Sequence, residues 1–170
     1  SPAYGLAEST LVVSVTSPDD EPVLFEADAQ AYERGRIVPA SRGRNAWTLA
    51  SSGRPLPGTS IEIVHAAACR RCAEDEVGEI WIASPSVTQG YWKQREATDE
   101  TFHARLADTG EGPFLRTGDL GFLRDGHLYI TGRLKDLIII RGLNHYPQDL
   151  ELTVEQSHPV LRPGCGAAFS

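Results

Sequence analysis

Arg116-Thr117-Gly118-Asp119-Leu120-Gly121-Phe122-Leu123-Arg124-Asp125-Gly126-His127-Leu128-Tyr129-Ile130-Thr131-Gly132-Arg133 decides the reading of this chain. Leu120 to Leu123 and His127 to Thr131 are strand-like runs separated by Arg124-Asp125-Gly126, the pattern of a β-hairpin whose tight turn needs the positive φ that glycine accepts. Folding that hairpin brings Asp119 and Arg133 to the same end of one strand pair. An ionised aspartate offers two acceptor oxygens to the adjacent hydroxyls of a ribose, and a guanidinium offers a planar fork to oxygens of sugar or phosphate. Read plainly, Asp119 caps its own turn and Arg133 makes a surface ion pair with Asp125 or Asp136. The company the two residues keep favours the nucleotide reading.

Working outward, Gly132-Arg133-Leu134-Lys135-Asp136 leads into the apolar strand Leu137 to Ile140, the turn Arg141-Gly142-Leu143-Asn144, and a helix that Pro147 opens and that runs to about Gln156. Upstream, Ile61 to Val64 and Gly78 to Ala83 read as strands joined by a polar loop. Between Gly78 to Ala83 and the hairpin, Thr98 is expected to cap a short helix with Asp99 and Glu100 in its first turn and Phe102 and Leu106 on its apolar face. Leu11 to Val15 is a β-branched run expected to be a buried strand, directly after Tyr4-Gly5-Leu6-Ala7-Glu8. Pro18 to Leu49 changes pattern and behaves as an insertion, with a helix expected from Phe25 to Arg34, ended by Gly35, and a loop at Arg42 to Asn45. In the first of these elements Tyr4 can lay its ring on a purine, Gly5 lets backbone approach a ligand closely, and Glu8 supplies a hard oxygen ligand for Mg2+.

Composition sets limits. With 16 Lys and Arg against 23 Asp and Glu, the net charge of −7 excludes a general nucleic-acid binder, although Arg133, Lys135 and Arg141 form a local cationic group. No stretch approaches the roughly 20 apolar residues of a membrane span, so a soluble, cytoplasmic protein is expected. His65, Cys69 and Cys72 have the spacing of three zinc ligands, but no fourth is evident, so ordinary loop cysteines are expected. The absence of methionine and the start at Ser1-Pro2-Ala3 read as a piece of a longer protein.

These motifs, in this order, resemble the adenylate-forming superfamily of acyl-CoA synthetases, luciferases and peptide-synthetase adenylation domains. Tyr4-Gly5-Leu6-Ala7-Glu8 is similar to its adenine and magnesium motif, Arg116-Thr117-Gly118-Asp119-Leu120 to its ribose motif, and Gly132 to Asp136 to the junction with its mobile lid, with Lys135 at the hinge. Leu134 to Gly142 followed by Asn144-His145-Tyr146-Pro147-Gln148-Asp149, then His158-Pro159 and Arg162 to Phe169, resembles the fatty acyl-AMP ligase branch, as does an insertion at 18–49.

The resemblance implies an α+β fold. Residues 1–134 would be the strand-rich C-terminal subdomain, a distorted β-barrel, of the large AMP-binding domain, and 135–170 the hinge and the start of the small α+β lid. It implies a ligase using ATP and Mg2+ to convert a fatty acid to acyl-AMP, then passing the acyl group to the phosphopantetheine of an acyl carrier protein. Tyr4, Gly5, Glu8, Asp119 and Arg133 would bind the nucleotide, Glu8 the metal, and Glu8, Arg133 and Lys135 would be catalytic. The family's phosphate loop would lie before Ser1 and its lid lysine after Ser170, so the segment is not expected to act alone. Ala7 stands where many relatives carry threonine. Two other readings are open: an acyl-CoA synthetase or amino-acid adenylation domain, and a non-catalytic scaffold that binds a carrier protein.

Overall fold

The computed structural model describes residues 1–43 and 45–169. Its elements are β1 (Ala3–Tyr4), β2 (Ser14–Val15), β3 (Leu24–Asp28), α1 (Ala29–Tyr32), β4 (Ala46–Ala50), β5 (Arg54–Pro55), β6 (Ser60–His65), β7 (Arg70–Arg71), β8 (Gly78–Ala83), α2 (Arg95–Phe102), β9 (Leu115–Arg124), β10 (His127–Arg133), β11 (Ile138–Ile140), β12 (Leu143–His145) and α3 (Pro147–Gln156). Short 3-10 turns cover Ala7–Ser9 and Leu134–Asp136. The fold is α+β and strand-rich, and among the described residues the strands lie in four sheets and form no closed barrel. No helix among the described residues is long and apolar enough to cross a membrane.

The hairpin forms as read, and it extends further in both directions. β9 and β10 pair antiparallel from Arg124↔His127 to Asp119↔Arg133, around a turn in which Asp125 and Gly126 both have positive φ. They form one side of a five-stranded antiparallel sheet in the order β10-β9-β8-β6-β7. Side chains alternate across this sheet, as a period of two requires. Ile80 and Ile82 of β8 join Leu115 and Leu128 in one core, while Trp81 points into a second with Phe114 and Leu106. Phe122 and Tyr129, stacked with ring centroids 4.8 Å apart, build a third with Tyr32 and Tyr146. The sheet continues sideways, because Ser52 and Leu128 N–H groups donate to the carbonyls of Leu128 and Gly53.

Four local expectations are corrected. Phe25 to Arg34 is not one helix: Leu24–Asp28 is a strand paired with β4, and the helix is the four residues Ala29–Tyr32, capped by the Asp28 carboxylate. Phe25 packs edge-on against Phe122 and Tyr129, so pairing and burial override helical spacing. In the run from Leu11 to Val15, only Ser14–Val15 is a strand. Thr10 and Leu11 have positive φ, the Leu11 N–H returns to the Leu6 carbonyl, and Leu11 is 71% exposed. Helix α2 starts at Arg95 with Gln94 at its cap, one turn before Thr98, and Leu106 is buried beyond its end. The apolar strand after the Leu134–Asp136 turn starts at Ile138, and Ile139 and Ile140 are exposed. The Arg42 to Asn45 loop includes Arg44, which is outside the described residues.

Ile80 is fully buried at the sheet centre, and Ile139 is largely exposed. Ile80→Ala should therefore lower unfolding free energy by about 2–5 kcal/mol in urea titrations, and Ile139→Ala should change it by less than about 0.5 kcal/mol.

Candidate functional site

The ladder between β8 and β9 is interrupted where the chemistry is expected. Trp81 pairs with Arg116 and Glu79 with Leu120, so one β8 residue, Ile80, faces three on β9: Thr117, Gly118 and Asp119. The surplus residues bulge out of the sheet, a device that re-aims side chains. Gly118 takes φ +70, which a residue with a Cβ rarely adopts. Thr117 Oγ1 donates to the Ile80 carbonyl at 2.7 Å and accepts from the Asp119 N–H at 3.0 Å, pinning the bulge from within. On β10 a second irregularity between Ile130 and Gly132 brings Arg133 opposite Asp119.

Asp119 is held at both oxygens. The Tyr4 hydroxyl donates to Oδ2 at 2.7 Å, and Arg133 Nε lies 3.2 Å from Oδ1. Burial, reinforced by the bond to Asp119, raises the Tyr4 hydroxyl pKa well above its usual range, so it remains a donor. Asp119 and Arg133 line a cavity of about 530 Å³ together with Leu6, Glu8, Thr117, Gly118, Leu134 and Lys135. Tyr4 and Gly5 line an adjoining space that shares Asp119 and Arg133. The structure thus gathers Tyr4, Gly5, Glu8, Asp119, Arg133 and Lys135 around one region. Arg133 pairs with Asp119, not with Asp125 or Asp136. Arg141, grouped with Arg133 and Lys135 by sequence, sits in the β11–β12 turn and lines neither space.

Gly5 has an internal reason for its identity: a Cβ there would lie 1.5 Å from the Leu11 carbonyl oxygen. Tyr4 engages through its hydroxyl, which ties the ring to the Asp119 carboxylate. Glu8 lines the cavity, and its Oε1 accepts a bond from the Tyr91 hydroxyl at 2.8 Å. Among the described residues no group of three or more His, Cys, Asp or Glu side chains is arranged to hold a metal. Of the two carboxylates that line the cavity, Asp119 is engaged by Tyr4 and Arg133, and Glu8 fits a cation whose other ligands are phosphate oxygens and water, the usual arrangement for Mg2+.

Two residues escaped the sequence reading. Glu79, 2% exposed, accepts from Arg116 Nη2 at 2.8 Å and from the Gly118 N–H at 3.2 Å. It stands behind the bulge and holds it by charge. Arg116 is pushed above its ordinary pKa chiefly by this bond, and its guanidinium lies 5.5 Å from the Trp81 ring centroid. A glutamate inside Gly78-Glu79-Ile80-Trp81-Ile82 was the available signal, since a charge in a buried strand needs a partner. The other is Tyr91, whose bond to Glu8 has no signature in local sequence.

The AMP-binding enzyme family matches residues 1–92, more than half of the chain. The chain belongs to this family. It is 54% identical over 172 residues to the medium-chain fatty acid acyl-carrier-protein ligase JamA of Moorena producens (strain JHB), a match covering 99% of this chain and 29% of JamA. A solved structure among the fatty acyl-adenylate ligases of E. coli and L. pneumophila is 43% identical and superposes with a TM-score of 0.83, covering 99% of this chain and 29% of its own. The fatty acyl-adenylate ligase of L. pneumophila in complex with acyl adenylate and pyrophosphate is 41% identical, with a TM-score of 0.73 over 93% of this chain and 27% of its own. The chain therefore spans less than a third of the relatives it matches, and these relatives are fatty-acid ligases, the branch that the sequence resembles.

Glu79→Ala would strand Arg116 and the Gly118 N–H. Breaking a buried pair typically costs 3–5 kcal/mol, and the partial exposure of Arg116 puts the expected loss near the lower end, about 3 kcal/mol, by urea unfolding. Replacing both residues should show a coupling above about 1 kcal/mol in a double-mutant cycle.

Proposed function

We propose that this chain is the ribose-gripping and hinge segment of a longer ATP-dependent ligase, one that activates a fatty acid as acyl-AMP and passes the acyl group to an acyl carrier protein. The observation that carries this reading is the convergence of Tyr4 and Arg133 on the Asp119 carboxylate at the edge of a cavity that also receives Glu8. JamA, similar over nearly the whole chain, supports the fatty acid and carrier-protein assignments. An ATP-consuming step of this kind belongs in the cytoplasm.

In the reaction the fatty acid carboxylate attacks the α-phosphorus of ATP, forming a C–O–P linkage and releasing pyrophosphate. Asp119 accepts the two ribose hydroxyls: each oxygen already engaged by Tyr4 or Arg133 keeps acceptor capacity, and the protein donors fix the carboxylate's orientation in advance. Arg133 is attached at one end of β10 with its side chain 62% exposed, so its guanidinium can follow the nucleotide from sugar to phosphate. Glu8 would hold Mg2+, which when bound offsets charge on the phosphates.

The domain reading accompanies this function. Residues 1–134 close the large AMP-binding domain, and 135–170 are the hinge and the start of the lid. Lys135 lies in the exposed 3-10 turn between β10 and β11, where few contacts resist rotation. The 18–49 insertion grips the far side of that hinge. Tyr32 packs on Tyr146 with centroids 5.0 Å apart, and the Asn144 N–H donates to the Glu33 carbonyl.

The function is tested by giving the full-length ligase a fatty acid, ATP and either a phosphopantetheinylated carrier protein or coenzyme A. Acyl-AMP followed by acyl carrier protein is expected; acyl-CoA as the main product, or no adenylate, contradicts it. Asp119→Ala should lower kcat/KM for ATP by about 1–3 kcal/mol, and an unchanged value removes the ribose assignment. Lys135→Pro should impair acyl transfer far more than adenylate formation measured by pyrophosphate exchange, because it stiffens the hinge; equal losses remove the hinge assignment.

A further inference from the structure

The connection between β8 and α2 is stitched to the 3-10 turn that carries Glu8. The Thr88 N–H donates to the Glu8 carbonyl at 2.8 Å, Thr10 Oγ1 donates to the Ser86 carbonyl at 2.6 Å, and the Ser9 and Ser86 hydroxyls are 3.2 Å apart. With Ser9 fully buried, turn and connection behave as one unit. Tyr91 lies near the end of this connection, and its hydroxyl donates to Glu8 Oε1.

The ring that carries that hydroxyl is supported from behind by α2. It meets Phe102 edge-on with centroids 5.1 Å apart, and the Tyr91 N–H donates to Thr98 Oγ1 at 2.9 Å. Gly90 lets the backbone close onto Thr98, since a Cβ there would lie 2.2 Å from Thr98 Cγ2. This explains why Thr98 sits inside the helix and not at its cap.

A glutamate carboxylate turns easily about its last torsion, and the other carboxylate of the cavity, Asp119, is itself held by Tyr4 and Arg133. We propose that Tyr91 is a positioning residue for Glu8: by holding Oε1 it turns the carboxylate so that the other oxygen meets a divalent cation carried on the phosphates of a nucleoside triphosphate. Partners of this outer kind commonly alter metal affinity 10–100-fold when removed. The inference rests on the assignment of Glu8 in the proposed function and extends it to a residue on a different element. It also gives α2 a purpose at the site, although none of its residues lines the cavity.

The test is calorimetric binding of ATP to the full-length ligase, once with excess Mg2+ and once with EDTA, for the wild type, Tyr91→Phe and Glu8→Gln. Tyr91 is 37% exposed, and the phenylalanine keeps the ring contact with Phe102, so the melting temperature should be unchanged. Tyr91→Phe is expected to weaken Mg2+-ATP binding about ten-fold and to leave metal-free ATP binding as it was. Equal weakening in both conditions would mean a merely structural bond and would overturn the inference. So would unaltered Mg2+-ATP binding by Tyr91→Phe alongside a lost Mg2+ advantage in Glu8→Gln, which leaves the Glu8 assignment standing. If Glu8→Gln keeps the full Mg2+ advantage, the Glu8 assignment fails and this inference fails with it.

Discussion

The Asp119 carboxylate is the point on which the rest of the molecule depends. Its position comes from two departures from a regular ladder: three residues of β9 set against one of β8, and a shifted register on β10. A regular β10 would turn Arg133 elsewhere, because a one-residue slip reverses the face a side chain presents, and a regular β9 would keep Asp119 in the sheet instead of next to the bulge. Tyr4, 115 residues earlier in the chain, then closes the arrangement with its hydroxyl. The site is therefore a long-range construction that exists only when the sheet is complete, and the buried Glu79 with its guanidinium partner supplies the charge that keeps the bulge in place.

The C-terminal segment is attached by a different kind of contact. Tyr146 is buried in the core that Phe122 and Tyr129 build, against Tyr32 of α1, and Gln148 donates to the Thr131 carbonyl next to the bulge of β10. Burial raises the Asp149 carboxyl to about 6 in the same seam. The Leu134–Asp136 turn between these contacts and the hairpin is short and exposed. A packed sheet lies on one side of this turn and an aromatic clasp on the other.

Much of this was legible because it is local. Arg124-Asp125-Gly126 announces its own turn, Gly78 to Ala83 is apolar enough to be a strand at those bounds, and Pro147 starts α3 where a helix tolerates proline. That Asp119 and Arg133 share one end of a strand pair follows from the hairpin, and the register shift on β10 then sets them directly opposite. What was misread depends on partners distant in sequence. Phe25 forms a strand because β4 and two aromatic rings await it, and Leu11 leaves the extended conformation because the Leu6 carbonyl takes its N–H. Thr98 has the composition of a helix cap but serves the Tyr91 backbone. Tyr91 acts through a bond to a residue 83 positions away and Glu79 through bonds to residues 37 and 39 positions away, which no spacing rule encodes.

The most direct measurement compares binding of ATP and 2′,3′-dideoxy-ATP to the full-length protein and to its Asp119→Ala variant. If the carboxylate receives the ribose hydroxyls, the wild type prefers ATP by roughly 1–3 kcal/mol and the variant loses that preference. A variant that discriminates between the two nucleotides as well as the wild type does would show that Asp119 does not touch the sugar.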